Sequence, residues 1–265
     1  MASSARIPPL LEPYVALPPE SSLVLLTSVL GASANWLVLR HVYSYLRGAG
    51  AGDERDKDTG VVLVSFMRDA AFWKDGAAKL GLDLDALSRA GRVVLVDGLT
   101  GLTLGDSPAA GPRKEKVLRS SNVADIKKDI GAAVGELGTK RKVLIVDQID
   151  ALLAITDEAS TSLAVQNLLL SLRGLVHSTV ATLSADAPLI AAQATTLERE
   201  HASLVLSTAH VADVVMALRM LDTGTARDVS GVVRLTGPGV DGGEAVEVLY
   251  HVAADGGVRV FERGT

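Results

Sequence analysis

The chain has 265 residues, 48% of them hydrophobic, and a formal net charge of −5. That is enough apolar material for one large core, and the negative overall field does not favour a polyanion, so any nucleic-acid contact has to be local or shared with a partner. There is no cysteine, which excludes disulfides and thiolate metal sites; five scattered histidines show no metal-ligand spacing, and 3% aromatic content argues against a base-stacking platform.

Residues 1–21 are rich in proline (Pro8, Pro9, Pro13, Pro18, Pro19) and are expected to be an extended N-terminal extension, packed on the surface or on a neighbour. Residues 22–265 are expected to form one domain. The apolar run from Leu23 to Leu30, followed by Ala32-Ser33-Ala34, resembles a signal-peptide core and cleavage site. It starts late, however, and continues into a helix with its own polar stripe at Arg40, Ser44 and Arg47. No run reaches the ~18–20 apolar residues of a membrane span, so no membrane partner is expected.

Leu23 to Arg47 reads as a buried strand, a turn around Gly31 and a long apolar helix over 33–47. This is the setting of a phosphate-binding loop, G-x-x-x-x-G-K-S/T, in which glycines let backbone N–H groups reach phosphate, Lys neutralises charge and a hydroxyl ligates Mg²⁺. Laid over that pattern, the two outer glycines are Ser28 and Ser33, with Gly31 between them; the lysine position is Ala34 and the hydroxyl position Asn35. The frame is present and the side chains that handle a nucleotide are not.

A polar loop (48–60) precedes a second strand, Val61 to Phe66, then helices from about Asp69 to Leu80 and Asp83 to Ala90, and a third strand, Arg92 to Asp97. Continuous apolar runs such as VVLVSF mark strands covered on both faces, as in a parallel sheet. Residues 98–119 form a long Gly/Pro/Ser loop ending in the basic cluster Arg113, Lys114, Lys116 and Arg119. A helix follows over about 122–137, with Val123, Ile126, Ile130, Val134 and Leu137 on one face. The fourth strand, Lys142 to Asp147, ends in an acid; then come a helix (163–175) and a fifth strand (179–184). Residues 203–208 suit either a strand or a helix; Thr195 with Glu198 forms a capping box, so a helix over 195–208 is assigned. A sixth strand (212–218) and a meander over 229–236, 245–252 and 258–262 complete an α/β three-layer plan, a mostly parallel central sheet with a C-terminal antiparallel meander.

Asp147 has two readings. In an ATPase an acid ending this strand holds Mg²⁺ through water; in any parallel sheet it caps the following turn. The second strand ends in Met67 and Arg68, and neither residue can accept a proton near neutral pH, as a general base for nucleotide hydrolysis must. The basic cluster is read either as a phosphate-contacting segment or as a solvated face balanced by Glu115, Asp125 and Asp129. Trp36 is expected in the core and Trp73 partly buried in it.

Strand by strand, residues 22–220 resemble the RecA/circadian-clock ATPase core, a P-loop NTPase-type fold: GVVLVSF, GAAKLGLDLDALSRAGRVVLVDG, KVLIVD and LLLSLRGLVHSTVATLSAD carry that likeness. A narrower resemblance is to the family of the sixth Elongator subunit, through Phe66-Met67-Arg68-Asp69, Phe72-Trp73-Lys74, the segments 79–83, 218–224 and 226–231, and the ending 249–252 with 260–264; the Ala-rich loops look fungal. The resemblance implies a RecA-like fold without a complete Walker A motif. It implies assembly with Elongator subunits four and five into a heterohexameric ring holding two copies of each. It further implies association with the catalytic Elongator subcomplex, binding of tRNA, support of wobble-uridine modification, and a location in the cytoplasm with the nucleus as a second compartment. ATP hydrolysis, linked to tRNA release, is attributed to such rings, and this chain lacks the parts for it.

The leading expectation is therefore a non-catalytic ring subunit with no catalytic residue, metal or cofactor of its own. Ser28, Gly31, Ser33, Ala34, Asn35 and Asp147 mark a degenerate nucleotide site, and Arg113, Lys114, Lys116 and Arg119 are candidate tRNA-phosphate contacts. The alternative is an active RecA-class ATPase with an unconventional phosphate site, using Ser28, Ser33 and the helix N-terminus to hold an anion. A membrane-anchored or secreted α/β protein is a third reading. Loops following the fourth and fifth strands, at about 151–160 and 185–195, are the pore-loop positions and are acidic or neutral.

Overall fold

The computed structural model describes residues 6–47, 58–103, 116–156, 161–221, 228–240 and 243–262. Among them a ten-stranded sheet is built on β1 (Leu23–Ser28), β2 (Thr59–Ser65), β3 (Val93–Asp97), β4 (Lys116–Val117), β5 (Arg141–Asp147), β6 (Ser178–Ser184), β7 (Val214–Arg219), β8 (Gly231–Thr236), β9 (Val246–Val252) and β10 (Val258–Phe261), in the spatial order β10-β9-β8-β7-β1-β6-β5-β2-β3-β4. Pairings from β7 through β4 are parallel, and those among β7, β8, β9 and β10 are antiparallel.

The alternation of strand side chains between faces explains the unbroken apolar runs. Val24, Leu26, Val61, Leu63, Val143 and Ile145 join a core with helices α2 (Asn35–Leu46), α3 (Ala70–Lys79) and α4 (Leu84–Arg89). Their neighbours Leu23, Leu25, Val62, Val64, Leu144 and Val146 join a second core on the opposite face. That core is covered by α6 (Val123–Glu136), α8 (Ser162–Arg173) and α9 (Thr196–Val211). The expected three layers are present. In α9 both halves of the capping box form, Thr195 Oγ1 accepting from Glu198 N and Glu198 Oε2 from Thr195 N.

Several expectations need correction. The N-terminal stretch is not extended throughout: Pro9–Leu11 forms a 3₁₀ turn and α1 (Glu12–Val15) follows, with Leu11 and Val15 fully buried. Proline at the first helical positions starts these turns, and the i, i+4 spacing of Leu11 and Val15 gives them one apolar face. The segment 98–119 is not wholly a loop, since α5 (Thr100–Thr103) follows β3 and β4 closes the sheet edge beside it. Two residues of edge strand carry no periodicity to read. The first long helix begins at Asn35, not residue 33. Trp73 is buried at 1% exposure, seated edge-on to Phe72. At the pore-loop positions, α7 (Leu152–Ile155) precedes residues outside the described set, and Pro188–Ala192 forms a π-helical turn.

Candidate functional site

The parallel register brings the carboxyl ends of five strands into one row. Ser28 of β1 lies opposite Ser184 of β6, and Ser65 of β2 lies opposite both Asp97 of β3 and Asp147 of β5. Asp147 is 1% exposed, and each of its oxygens is engaged from inside: Ser65 Oγ donates at 2.8 Å and Thr182 Oγ1 at 3.0 Å. Burial pushes its carboxyl up, while these two hydroxyls and the charge of Arg68 oppose the shift. Asp147 thus ties β2, β5 and β6 together through hydroxyls of the neighbouring strands; its side chain makes no hydrogen bond to the turn that follows, so it differs from the capping arrangement expected.

The segment after β1 folds back on itself in a tight turn. Ala32 N donates to Val29 O at 2.9 Å, closing a four-residue β-turn that also forms an antiparallel bridge. Gly31 has φ of 91°, a conformation that favours glycine, and a Cβ there would lie 3.1 Å from Met220 Sδ, close enough that this flexible side chain would have to shift slightly. Leu30 N, the amide at the turn's tip, donates to Asp186 Oδ1 at 2.7 Å. Asn35 N donates to Ser33 Oγ at 3.2 Å, and Leu37 N and Val38 N both turn back to Ala34 O. Of the backbone donors of this turn, Leu30 N, Ala32 N and Asn35 N thus have partners within the chain.

These residues surround a cleft of about 370 Å³ whose wall includes Ser28, Ser33, Asn35, Arg68, Gln148 and Asp186. Arg68 is the cation on this wall, and it is held outward, with Nη1 on Met67 O at 2.8 Å and its guanidinium 5.3 Å from the centre of the Phe72 ring. Behind the cleft, Gln148 adopts a left-handed conformation (φ 55°); its Oε1 accepts from Ser184 Oγ at 2.8 Å. Ser184 N donates to Asp150 Oδ2 at 3.1 Å, and His201 Nε2 lies 3.0 Å from Ser184 O. Burial pushes the Asp150 carboxyl up.

Ser28, Gly31, Ser33, Ala34 and Asn35 are thus brought together around one cleft, whereas Asp147 is buried and not part of its wall. Asp186, Thr182 and Ser184 were not singled out in the sequence reading. They lie over 150 residues from the β1 turn, and only the β1–β6 pairing makes them neighbours. The basic cluster lies elsewhere. Arg113 and Lys114 are outside the described residues; Lys116 sits in β4 with Nζ 2.6 Å from Glu136 Oε1, and Arg119 is exposed just beyond. Four strands separate β4 from β1 in the sheet. Among the described residues no acidic or histidine group is arranged to hold a metal ion, and no helix is long and apolar enough to cross a membrane.

A crystal structure of a KaiC-like protein from the hyperthermophilic archaeon Pyrococcus horikoshii matches over 92% of this chain and 91% of its own, with TM-score 0.58 and 16% sequence identity. At that identity the likeness establishes the RecA-like fold alone. Among curated proteins, none matches the chain. The sequence profile described as Elongation complex protein 6 matches residues 11–246, a span that takes in the β1 turn, the cleft and all of the parallel sheet. The chain belongs to the Elongation complex protein 6 family, and so has the role of an Elongator subunit.

Proposed function

We propose that the chain is a non-catalytic member of a heterohexameric ring built with Elongator subunits four and five. In this reading residues 22–265 act as one RecA-like domain, and the ring supports tRNA binding and wobble-uridine modification by the catalytic subcomplex in the cytoplasm, with a nuclear pool. The observation that carries the non-catalytic part is the bond from Leu30 N to Asp186 Oδ1. A phosphate placed at this turn would meet a carboxylate already holding one of its backbone donors. At the lysine position it would meet Ala34, which has no charge to offer. The expected general-base positions hold Met67 and Arg68, which adds a second, separate deficit. Residues 113–119 are assigned the phosphate contacts with tRNA, because a basic segment can follow a backbone without reading bases.

Calorimetric titration of the purified chain with ATP and Mg²⁺ tests this. No saturable heat is expected at ATP concentrations below about 1 mM, the regime of a ligand gaining only ~4 kcal/mol. A Mg²⁺-dependent dissociation constant in the micromolar range would favour the alternative of an active RecA-class ATPase.

A further inference from the structure

Away from the cleft at β1, a second groove is lined more heavily by apolar side chains. Of ten large hydrophobic side chains that are exposed among the described residues, six fall on α8, α9 or their immediate flanks: Leu163, Leu170, Leu175, Leu197, Leu206 and Val211. Single exposed leucines need no explanation, but this concentration does. Leu170, Leu206 and Val211 wall a groove of about 520 Å³ between the two helices, and Leu23 and Leu169 belong to its lining.

The two helices run the same way. Ser162, the first residue of α8, donates its N–H to Glu200 Oε2 at 2.6 Å, and its hydroxyl to Ser203 Oγ at 3.1 Å, so the early turns of both helices lie side by side. The lining of the groove pairs residues 166–173 with 206–211, which places Arg173 and His210, each in a last helical turn, at one end. Gln166, Asn167 and Ser207 add neutral polar groups, and no carboxylate lines the groove.

We infer that this groove docks an amphipathic helix from another protein of the Elongator assembly, one with an apolar stripe and an acidic residue at the end that meets Arg173. A trough between two packed helices accepts a third by ridge-into-groove fit, and its leucine walls suit apolar anchors at i, i+3 and i+4. The charge asymmetry selects the acid. The chain itself offers no such occupant: the longest stretch outside the described residues, LGDSPAAGPRKE at 104–115, has glycine, proline and charge but no apolar stripe. A second copy of the chain bound at this groove is an outcome the test below distinguishes. Nucleic acid is disfavoured by apolar walls. The inference rests on family membership and not on the absence of nucleotide binding, so the calorimetry above and the test below fail independently.

The test uses the full chain within the assembled Elongator complex, with a photo-crosslinking residue at Leu170 or Leu206. Crosslinks to a segment of another subunit with helical apolar spacing and a terminal Asp or Glu are expected. Arg173→Glu should weaken association at least tenfold, and reversing the crosslinked acid to Lys should restore it. Leu170→Asp with Leu206→Asp should weaken it at least as much, while the thermal midpoint of the isolated chain stays unchanged. Hydrogen exchange at 163–173 and 204–211 in the unmodified complex should be slowed relative to the free chain. Crosslinks confined to a second copy or to tRNA, no crosslinks at all, or unchanged exchange on assembly would overturn the proposal.

Discussion

Asp186 Oδ1 accepts the backbone N–H of Leu30 at 2.7 Å, joining residues 156 positions apart across the ends of β6 and β1. The carboxylate sits where a phosphate-binding fold presents a donor to its ligand, so the turn is closed by a ligand-like group of the chain itself. This contact also fixes Leu30, whose side chain is 90% exposed at the tip of a turn that is otherwise closed only by the Ala32 N to Val29 O bond.

Asp186→Ala should loosen this turn. Losing an exposed charge-assisted hydrogen bond costs about 1 kcal/mol or less. The global unfolding midpoint should barely move, while amide exchange at Leu30 and Gly31 should accelerate several-fold. ATP binding should not appear, because Ala34 still supplies no charge. Exchange rates by mass spectrometry with and without the change check this, and an unaltered Leu30 amide would show that the bond does not hold the turn.

Asp147→Asn separates a structural acid from a metal-binding one. Desolvation is the main force on this carboxyl, so removing its charge relieves a penalty, while the amide oxygen can still accept from Ser65 or Thr182. Stability should change by no more than about 1 kcal/mol. Asp147→Leu strands both hydroxyl donors and should cost about 2–4 kcal/mol. Urea unfolding of the two variants gives the comparison, and a larger loss for the Asn change than for the Leu change would contradict the strand-tying role.

His41 predicts an acid-sensitive core. It is fully buried, with Nδ1 2.9 Å from the Tyr45 hydroxyl, and desolvation lowers its imidazole to about 3. Unfolded, it titrates near 6.5. Below that pH the unfolded chain binds a proton that the folded chain refuses, so stability falls as pH drops from about 6.5 toward about 3. At pH 5 the loss from this group is about 2 kcal/mol. Asp147 and Asp150 act with the opposite sign, since their raised carboxyls penalise the fold while ionised and relieve it on protonation. His41→Phe should therefore flatten the stability difference between pH 7 and pH 5 by about 2 kcal/mol relative to the parent chain, in urea titrations at both pH values. Parallel pH profiles would show that His41 does not titrate on unfolding in this range.

Changing Arg113, Lys114, Lys116 and Arg119 to Ala should weaken tRNA binding by the assembled ring and make its dependence on salt shallower. Each lost phosphate contact reduces the logarithmic slope by about 0.7–0.9. Lys116 should contribute least, because its ammonium is already paired with Glu136 at 2.6 Å. Assembly should survive, since three of the four residues lie outside the two-residue edge strand β4. Unchanged affinity and slope in filter-binding assays across a salt series would place the RNA contact on other residues.

Periodicity and apolar runs sufficed for the layered α/β plan, because burial on both faces of a parallel strand demands an unbroken run such as VLIV, and a one-sided helix demands the spacing of Ile126, Ile130 and Val134. The loss of the phosphate-handling side chains was equally legible, since Ala34 and Asn35 state it at fixed offsets from the strand. What local sequence could not carry were pairings between distant segments. The 3₁₀ turn at Pro9–Leu11 and the burial of Leu11 and Val15 depend on a core supplied by α2 and the sheet. The placement of Asp186 on the β1 turn depends on β6 lying next to β1, and the groove of Leu170 and Leu206 on two helices over 30 residues apart running side by side. Composition and spacing determine which faces must be covered; only the packed sheet decides which distant residue covers them, because those contacts lie between elements and not within any one of them.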